Sequence, residues 1–464
     1  MIQFTDNFNS HHYKEPKYID FNGSSSKIKK DKKVIGENLH ITLNDYQEKS
    51  KNNIFFSFFK DEDKKLSKNS KDDLIISIKK TSVNNEDKYI AQTGNYIGKF
   101  RWNGLDVDIG SRFGIEFLER MLNFANDVYL DDVSVSGDKV DKELDISKHI
   151  IYYMFIQNLE KAFLLGLPKS YTTIKHHDMK LKGKIDINRF IKHDIPFKGK
   201  ISSSSREQKE IQEIIDVLHK AVNIISKSSF STKNISHIKT HLKQHRSNKF
   251  VSNETISKAI KSKALQNPIF APYKKVLKYA EYIINDSNLK QNEKGKEQTY
   301  GFLINVAELF EIYITKLLQK EFSDWTVNSP KIELYENHFF ARKIIPDIVM
   351  EKDKQVLVFD TKYKRMKFDG RNQYGAGDLD RNDFFQINTY MSYYQNSGYD
   401  VIAGGLLYPM EAEYDKNKCF SESWFGNNNT KFIVDGVELK NLNHKKSILC
   451  REKRFIKRFN EMLF

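Results

Sequence analysis

IIPDIVMEKDKQVLVFDTKYK, residues 344–364, reads as two strands joined at Asp353-Lys354. The second strand carries four consecutive apolar residues, 356–359, as a strand buried on both faces would. It then ends in Asp360, with Lys362 two positions on. A hairpin turning at Asp353-Lys354 sets Asp347 directly opposite Asp360, on one face of the sheet. Side chains two apart share a face, so Lys362 joins them. Opposed carboxylates repel one another, and a divalent cation relieves that repulsion. Mg²⁺, which favours one or two carboxylates with water and phosphate oxygens, suits the pair. Asp347 and Asp360 are therefore candidate metal ligands, with the carbonyl of Thr361 as a further one. Lys362 would orient an attacking water and offset charge on a pentavalent phosphorane.

Neighbouring segments add to this cluster. Glu308 and Glu311 lie one helical turn apart ahead of the hairpin, and either can supply a third carboxylate, with Glu311 preferred. Gln386 and Tyr390 are spaced i, i+4 on a later helix, hence on one face, where they can meet the lysine or a substrate phosphate. D-x-K alone carries no weight, because a solvated ion-pair cluster on a hairpin has the same sequence. Pro346-Asp347, the separation of the two aspartates, the apolar run and the Gln386–Tyr390 pair together argue against that blander alternative.

A chain of 464 residues holds two or three domains. No stretch has the roughly 18 uninterrupted apolar residues of a membrane span, and the N-terminus lacks the basic-then-apolar layout of a secretory signal. Cys419 and Cys450 are too few for a disulfide framework or a zinc cluster. These features predict a soluble protein in a reducing, cytoplasmic setting. Lys plus Arg number 76 against 61 Asp plus Glu, a net charge of +15 that favours polyanionic partners.

Along the chain, residues 1–92 alternate lysine-rich polar runs with short strands such as 53–59 and 73–80. Residues 94–110 form a hairpin around Asn103-Gly104, the strongest short-range hairpin signal. From about 113 the period becomes helical, with helical stretches over 113–126 and 146–167. Residues 179–201 read as a basic, strand-like stretch. The serine run 202–205 reads as the lead into a helix beginning at Arg206, and 285–298 as a linker. A helix over 299–322, three antiparallel strands up to 364, a glycine-containing loop at 368–383, a helix, the strand 400–409 and a basic C-terminal helix complete the chain. The predicted fold class is multidomain α+β: a β-rich domain over 1–145, a mainly helical region over 146–298 and an α/β domain over 299–464, with the site at a sheet edge.

IIPDIV (344–349), VFDTKYK (358–364) and QINTY (386–390) resemble the PD-(D/E)XK nuclease motif with the Q-x-x-x-Y extension of RecB-like nucleases. FLINVAELFEIYITKLL (302–318) is similar to the phenylalanine-rich helix of the McrC family, with Leu309-Phe310-Glu311 at its Leu-Phe-Glu. The strand ending in Tyr408-Pro409, residues 164–190 and the hairpin at 96–114 resemble further segments of that family. In the hairpin, Gly110-Ser111-Arg112 replaces the usual Pro-Lys. The resemblance spans roughly 94–461. It implies an McrC-like, restriction-endonuclease-like subunit of a restriction and antiviral defence system that cuts DNA with Mg²⁺, or Mn²⁺ as a substitute. Asp347, Asp360, Lys362, Glu311, Gln386 and Tyr390 would form its site. It also implies an McrB-like AAA+ NTPase ring, contacted by the N-terminal part and stimulated by it. A catalytically silent DNA-binding scaffold and a stand-alone RecB-like exonuclease are the alternatives. The chain has no Walker A sequence, so any motor belongs to a partner.

Overall fold

The computed structural model describes residues 2–12, 16–19, 21, 25–49, 53–56, 73–125, 146–228, 232, 235–291, 301–364, 380–440 and 445–463. The chain divides into two compact units, Met1–Val135 with Lys296–Phe464, and Ser136–Gly295. The lysine-rich run at 60–72 and most of the loop at 368–383 lie outside the described residues.

The first unit begins with β1 (Ile2–Thr5), β2 (Asn38–Thr42), β3 (Asn53–Phe56), β4 (Leu74–Val83), β5 (Glu86–Thr93), β6 (Tyr96–Trp102) and β7 (Leu105–Gly110). β2, β4 and β5 form an antiparallel sheet. β6 and β7 form the hairpin around Asn103-Gly104, where both turn residues adopt positive φ, 48° and 85°. Asn and Gly tolerate that conformation, and its twist matches the flanking strands. Leu105, Val107 and Ile109 alternate into the core while Asp106 and Asp108 face outward.

The second unit contains β8 (Lys169–Asp178), β9 (Lys184–Ile185) and β10 (Ile201–Glu210) in one sheet, with the helices Ile146–Phe163, Gln212–Ser226 and Pro272–Gln291. Here the structure departs from sequence expectation three times. Residues 206–210 are strand, because all of β10 pairs with β8, and the helix starts only at Gln212. Within the basic stretch, Ile187–His193 is a helix, started by Asp186 accepting a hydrogen bond from the Arg189 amide. The helix ending at Gln291 covers the first half of the expected linker.

Returning to the first unit, β11 (Gly301–Asn305) corrects the helix expected from 299. It pairs antiparallel with β6 and parallel with β3, giving the sheet order β1-β7-β6-β11-β3. Backbone approach is close at Gly301, where a Cβ would meet the Phe100 Cβ at 2.3 Å. Asn305 accepts from the Ala307 and Glu308 amides and so starts the helix Val306–Glu321.

β12 (Thr326–Asn328), β13 (Ile332–Leu334), β14 (Arg342–Ile344), β15 (Ile348–Lys352), β16 (Gln355–Thr361), β17 (Asp400–Met410), β18 (Phe420–Ser421) and β19 (Lys431–Glu438) follow. Six of them form the sheet β12-β15-β16-β17-β19-β18. The strand expected over 341–350 is broken. β14 pairs with β13, and β15 restarts after Pro346, which has no amide to donate to a ladder. β15 and β16 are antiparallel, with Ile348 opposite Phe359, whereas β16, β17 and β19 run parallel. β16 is therefore interior rather than an edge, and residues 356–360 are fully buried. Ile387, Tyr390, Met391 and Tyr394 of the helix Arg381–Asn396 share a core with Val356, Val358 and Leu406. Phe359 packs on Phe459 of the C-terminal helix Lys445–Leu463, ring centroids 5.0 Å apart.

Candidate functional site

The end of β16 holds the groups singled out from sequence. Asp347 lies just outside the β15–β16 ladder, and its Oδ2 accepts from both the amide and the hydroxyl of Thr361, each at 2.8 Å. This double contact ties the start of β15 to the end of β16. Asp360 is fully buried. Its Oδ2 stands 2.6 Å from Lys362 Nζ, while Oδ1 has no hydrogen-bond partner among the described residues.

Lys362 is held from several sides. Its amide donates to the Leu407 carbonyl of β17 at 2.9 Å. Its ammonium donates to Gln386 Oε1 at 2.9 Å, and Gln386 Nε2 in turn reaches the Tyr390 hydroxyl at 2.7 Å. Gln386 thus meets the lysine directly, and Tyr390 is linked to it only through Gln386.

Asp383 is a member that sequence reasoning missed. It is buried, lies 3.6 Å from Lys362 Nζ, and accepts from Lys364 Nζ at 2.7 Å and 2.9 Å. Its signal was present, because Asp383, Gln386 and Tyr390 fall at i, i+3 and i+7 of the helix Arg381–Asn396 and so share a face.

The charges respond to this crowding. Burial raises the Asp360 carboxyl to about 8, with Asp347 adding to the rise and Lys362 opposing it. Burial also raises Asp347 above its ordinary value, against the pull of Lys362 and Thr361. Glu311 is pushed well up by burial and then by Asp347, Asp360 and Glu308, which places it in the same electrostatic cluster. Glu308 is itself buried and takes a hydrogen bond from Asn305 Nδ2 at 3.2 Å. For Lys362, burial alone favours the neutral amine, but Asp360, Asp347 and Asp383 outweigh it and hold the pKa above the ordinary lysine value. Lys362 is accordingly a charged hydrogen-bond donor at neutral pH and not a proton acceptor.

Among the described residues, no three Asp, Glu, His or Cys side chains form a ready-made metal cage. The donor set still fits a hard cation. Asp360 offers a buried, unpartnered oxygen beside a second carboxylate, and burial drives both carboxyl groups towards protonation against the pull of Lys362. Cys419 is buried and its thiol is raised to about 11 by burial, while Cys450 is exposed; both are free.

The family described as McrBC 5-methylcytosine restriction system component matches residues 91–409. Among solved structures, the chain is similar to a refined half-complex from a tetradecameric assembly of Thermococcus gammatolerans McrB AAA+ hexamers with bound McrC. That match has 14% identity, covers 99% of each chain and has a TM-score of 0.53, which supports likeness of fold. The cryo-EM structure of the Thermococcus gammatolerans McrBC complex matches at 13% identity over 69% of this chain and 87% of that one, with a TM-score of 0.37. A comparison with curated protein sequences finds no match.

Proposed function

The chain belongs to the family of McrBC 5-methylcytosine restriction system components, and from that premise we propose that it is an McrC-like DNA endonuclease subunit. In this reading its C-terminal α/β portion is a Mg²⁺-dependent PD-(D/E)XK nuclease, recruited and regulated by an McrB-like AAA+ NTPase. The observation that carries the reading is the buried Asp360, with one oxygen unpartnered, flanked by Asp347 and by the charged Lys362.

Asp347 and Asp360 would hold the cation, with Glu311 and the carbonyl of Thr361 assisting. When bound, Mg²⁺ polarises a phosphodiester and acidifies a coordinated water. Lys362 keeps its proton, orients the attacking water and offsets charge on the phosphorane. Gln386 fixes the direction of that ammonium, and Tyr390 fixes Gln386. Asp383 holds Lys364 at the rim, where both lysines can face a phosphate backbone.

The partner contact has support in the Ser136–Gly295 unit. Leu164, Leu165, Met179, Ile187, Ile191 and Phe197 are between 60% and 81% exposed, and the helix Ile187–His193 buries none of its residues. Large apolar side chains exposed to this degree suit a protein-docking surface. We therefore propose that this unit takes part in the ring contact and in the stimulation of NTP hydrolysis, beside the N-terminal part.

Incubation of circular and linear DNA with the protein and Mg²⁺, with and without the AAA+ partner, tests the reading. Partner-dependent internal cuts that Asp360→Ala abolishes are the expected result. Equal cleavage by Asp360→Ala rejects the site. Stimulated NTP hydrolysis with no cleavage by the wild type favours the silent scaffold, and partner-independent digestion from ends favours an exonuclease.

A further inference from the structure

Directly after Lys362 comes Tyr363, whose surroundings belong to the other end of the chain. The Arg112 guanidinium lies 4.6 Å from the Tyr363 ring centroid and 4.7 Å from that of Phe113. Phe113 and Phe310 close the ring in from two further sides, at 5.9 Å and 5.8 Å. Asn7 Nδ2 donates to the Tyr363 carbonyl at 3.4 Å.

Arg112 is an unusual residue to find there. Its side chain is only 3% exposed, and among the described residues none of its three guanidinium nitrogens makes a hydrogen bond. It is balanced instead by charge and by aromatic faces. Asp6 Oδ2 lies 3.8 Å and Glu411 Oε1 3.9 Å from its Nε, and the two rings flank it. The Arg112 amide donates to Asp6 Oδ1 at 2.7 Å, and the Asp6 amide to the Gly110 carbonyl at 2.8 Å, so the pair is locked to the end of β7. A buried guanidinium without hydrogen bonds is costly, and such a group calls for an explanation beyond packing.

We propose that Arg112 is a positioning residue for the Lys362 ammonium: with Asp6 it clamps Tyr363 and so fixes the path of the chain as it leaves β16. Lys362 is pinned on one side by its amide bond to Leu407, and the clamp pins the next residue. Release of Tyr363 lets the backbone at 362 rotate, which carries the ammonium away from Asp360 and Gln386. The first seven residues and the end of the β6–β7 hairpin thereby set the geometry of a site more than 200 residues away in sequence. The functional half of this inference rests on the nuclease reading of Lys362; the clamp itself does not.

Arg112→Met, which keeps bulk and loses charge, and Arg112→Lys, which keeps charge, test it in the full chain. Asp6→Asn serves as the second probe should Arg112→Met fold poorly. Hydrogen exchange of backbone amides at 361–364 is read beside single-turnover DNA cleavage and DNA affinity. With Arg112→Met or Asp6→Asn we expect exchange at 361–364 to rise about tenfold or more, confined to that segment. Cleavage at saturating DNA should fall about tenfold with unchanged affinity, and Arg112→Lys should recover both. Wild-type exchange and cleavage in Arg112→Met and Asp6→Asn overturn the proposal, as does an exchange increase spread evenly over the unit. Should the wild type with its AAA+ partner and Mg²⁺ cut no DNA, the nuclease reading fails, while the exchange measurement still decides the clamp.

Discussion

Asp360 is under electrostatic tension in the site, and its titration has a definite sign. Its carboxyl is raised by burial to about 8 in the folded chain, against about 4 for an unfolded aspartate. Folding therefore takes up a proton, so this group favours the fold below about pH 4 and loses that contribution as pH rises to about 8. Thermal melts in EDTA should show stability falling across that window, with a shallower slope for Asp360→Asn and a larger gain on adding Mg²⁺ at pH 8 than at pH 6. Lys362→Ala removes the charged donor and should lower the cleavage rate by about 10²–10³-fold, while Gln386→Ala, which removes only the group steering that donor, should cost about 10–100-fold. Rates measured at saturating DNA separate these effects from weakened binding.

At the scale of elements, the sheet is held by partners that no local pattern reveals. Arg120 of the helix Ile115–Ala125 makes a bidentate ion pair with Glu452 of the C-terminal helix, at 2.8 Å and 2.7 Å, and Tyr313 donates to the same carboxylate at 2.7 Å. All three are buried, so three helices meet at one charged knot. Tyr313 lies two residues after Glu311, and the knot thereby fixes the helix that carries Glu311. Glu452→Gln removes the carboxylate that pairs with the buried Arg120 and should destabilise the fold by about 3–5 kcal/mol, whereas replacing both partners with apolar residues of similar volume should cost much less. Urea unfolding of the single and double variants measures the difference.

For the whole molecule, the distribution of surface is informative. The Ser136–Gly295 unit leaves Ile187 and Ile191 of its helix Ile187–His193 exposed, a few residues after the lysines at 180, 182 and 184. Replacing both Ile187 and Ile191 with Ser removes apolar area without disturbing a core, so the fold should remain intact. Stimulation of the partner's NTP hydrolysis should drop about tenfold or more if these two side chains anchor the contact. A partner NTPase assay read beside the thermal melt of the variant checks this. Among the described residues no helix is long and apolar enough to cross a membrane.

The alternation in β6 and β7, Asn103-Gly104, the buried run 356–359 and the i, i+4 pair on the later helix are short-range patterns. They are legible because strand and helix periods are fixed by backbone geometry. The hairpin 348–361 follows the same logic, and its turn at Asp353-Lys354 sets the register that brings Asp347 to Thr361. Tertiary structure alone decided that 301–305 is a strand rather than the start of a helix, since its ladder partners lie at 53–56 and 96–100. It also decided that β16 is interior, that Asp383 closes on Lys362 and that Arg112 reaches Tyr363. Each of these depends on residues distant in sequence being brought together, and the energy of such pairing is absent from any local window.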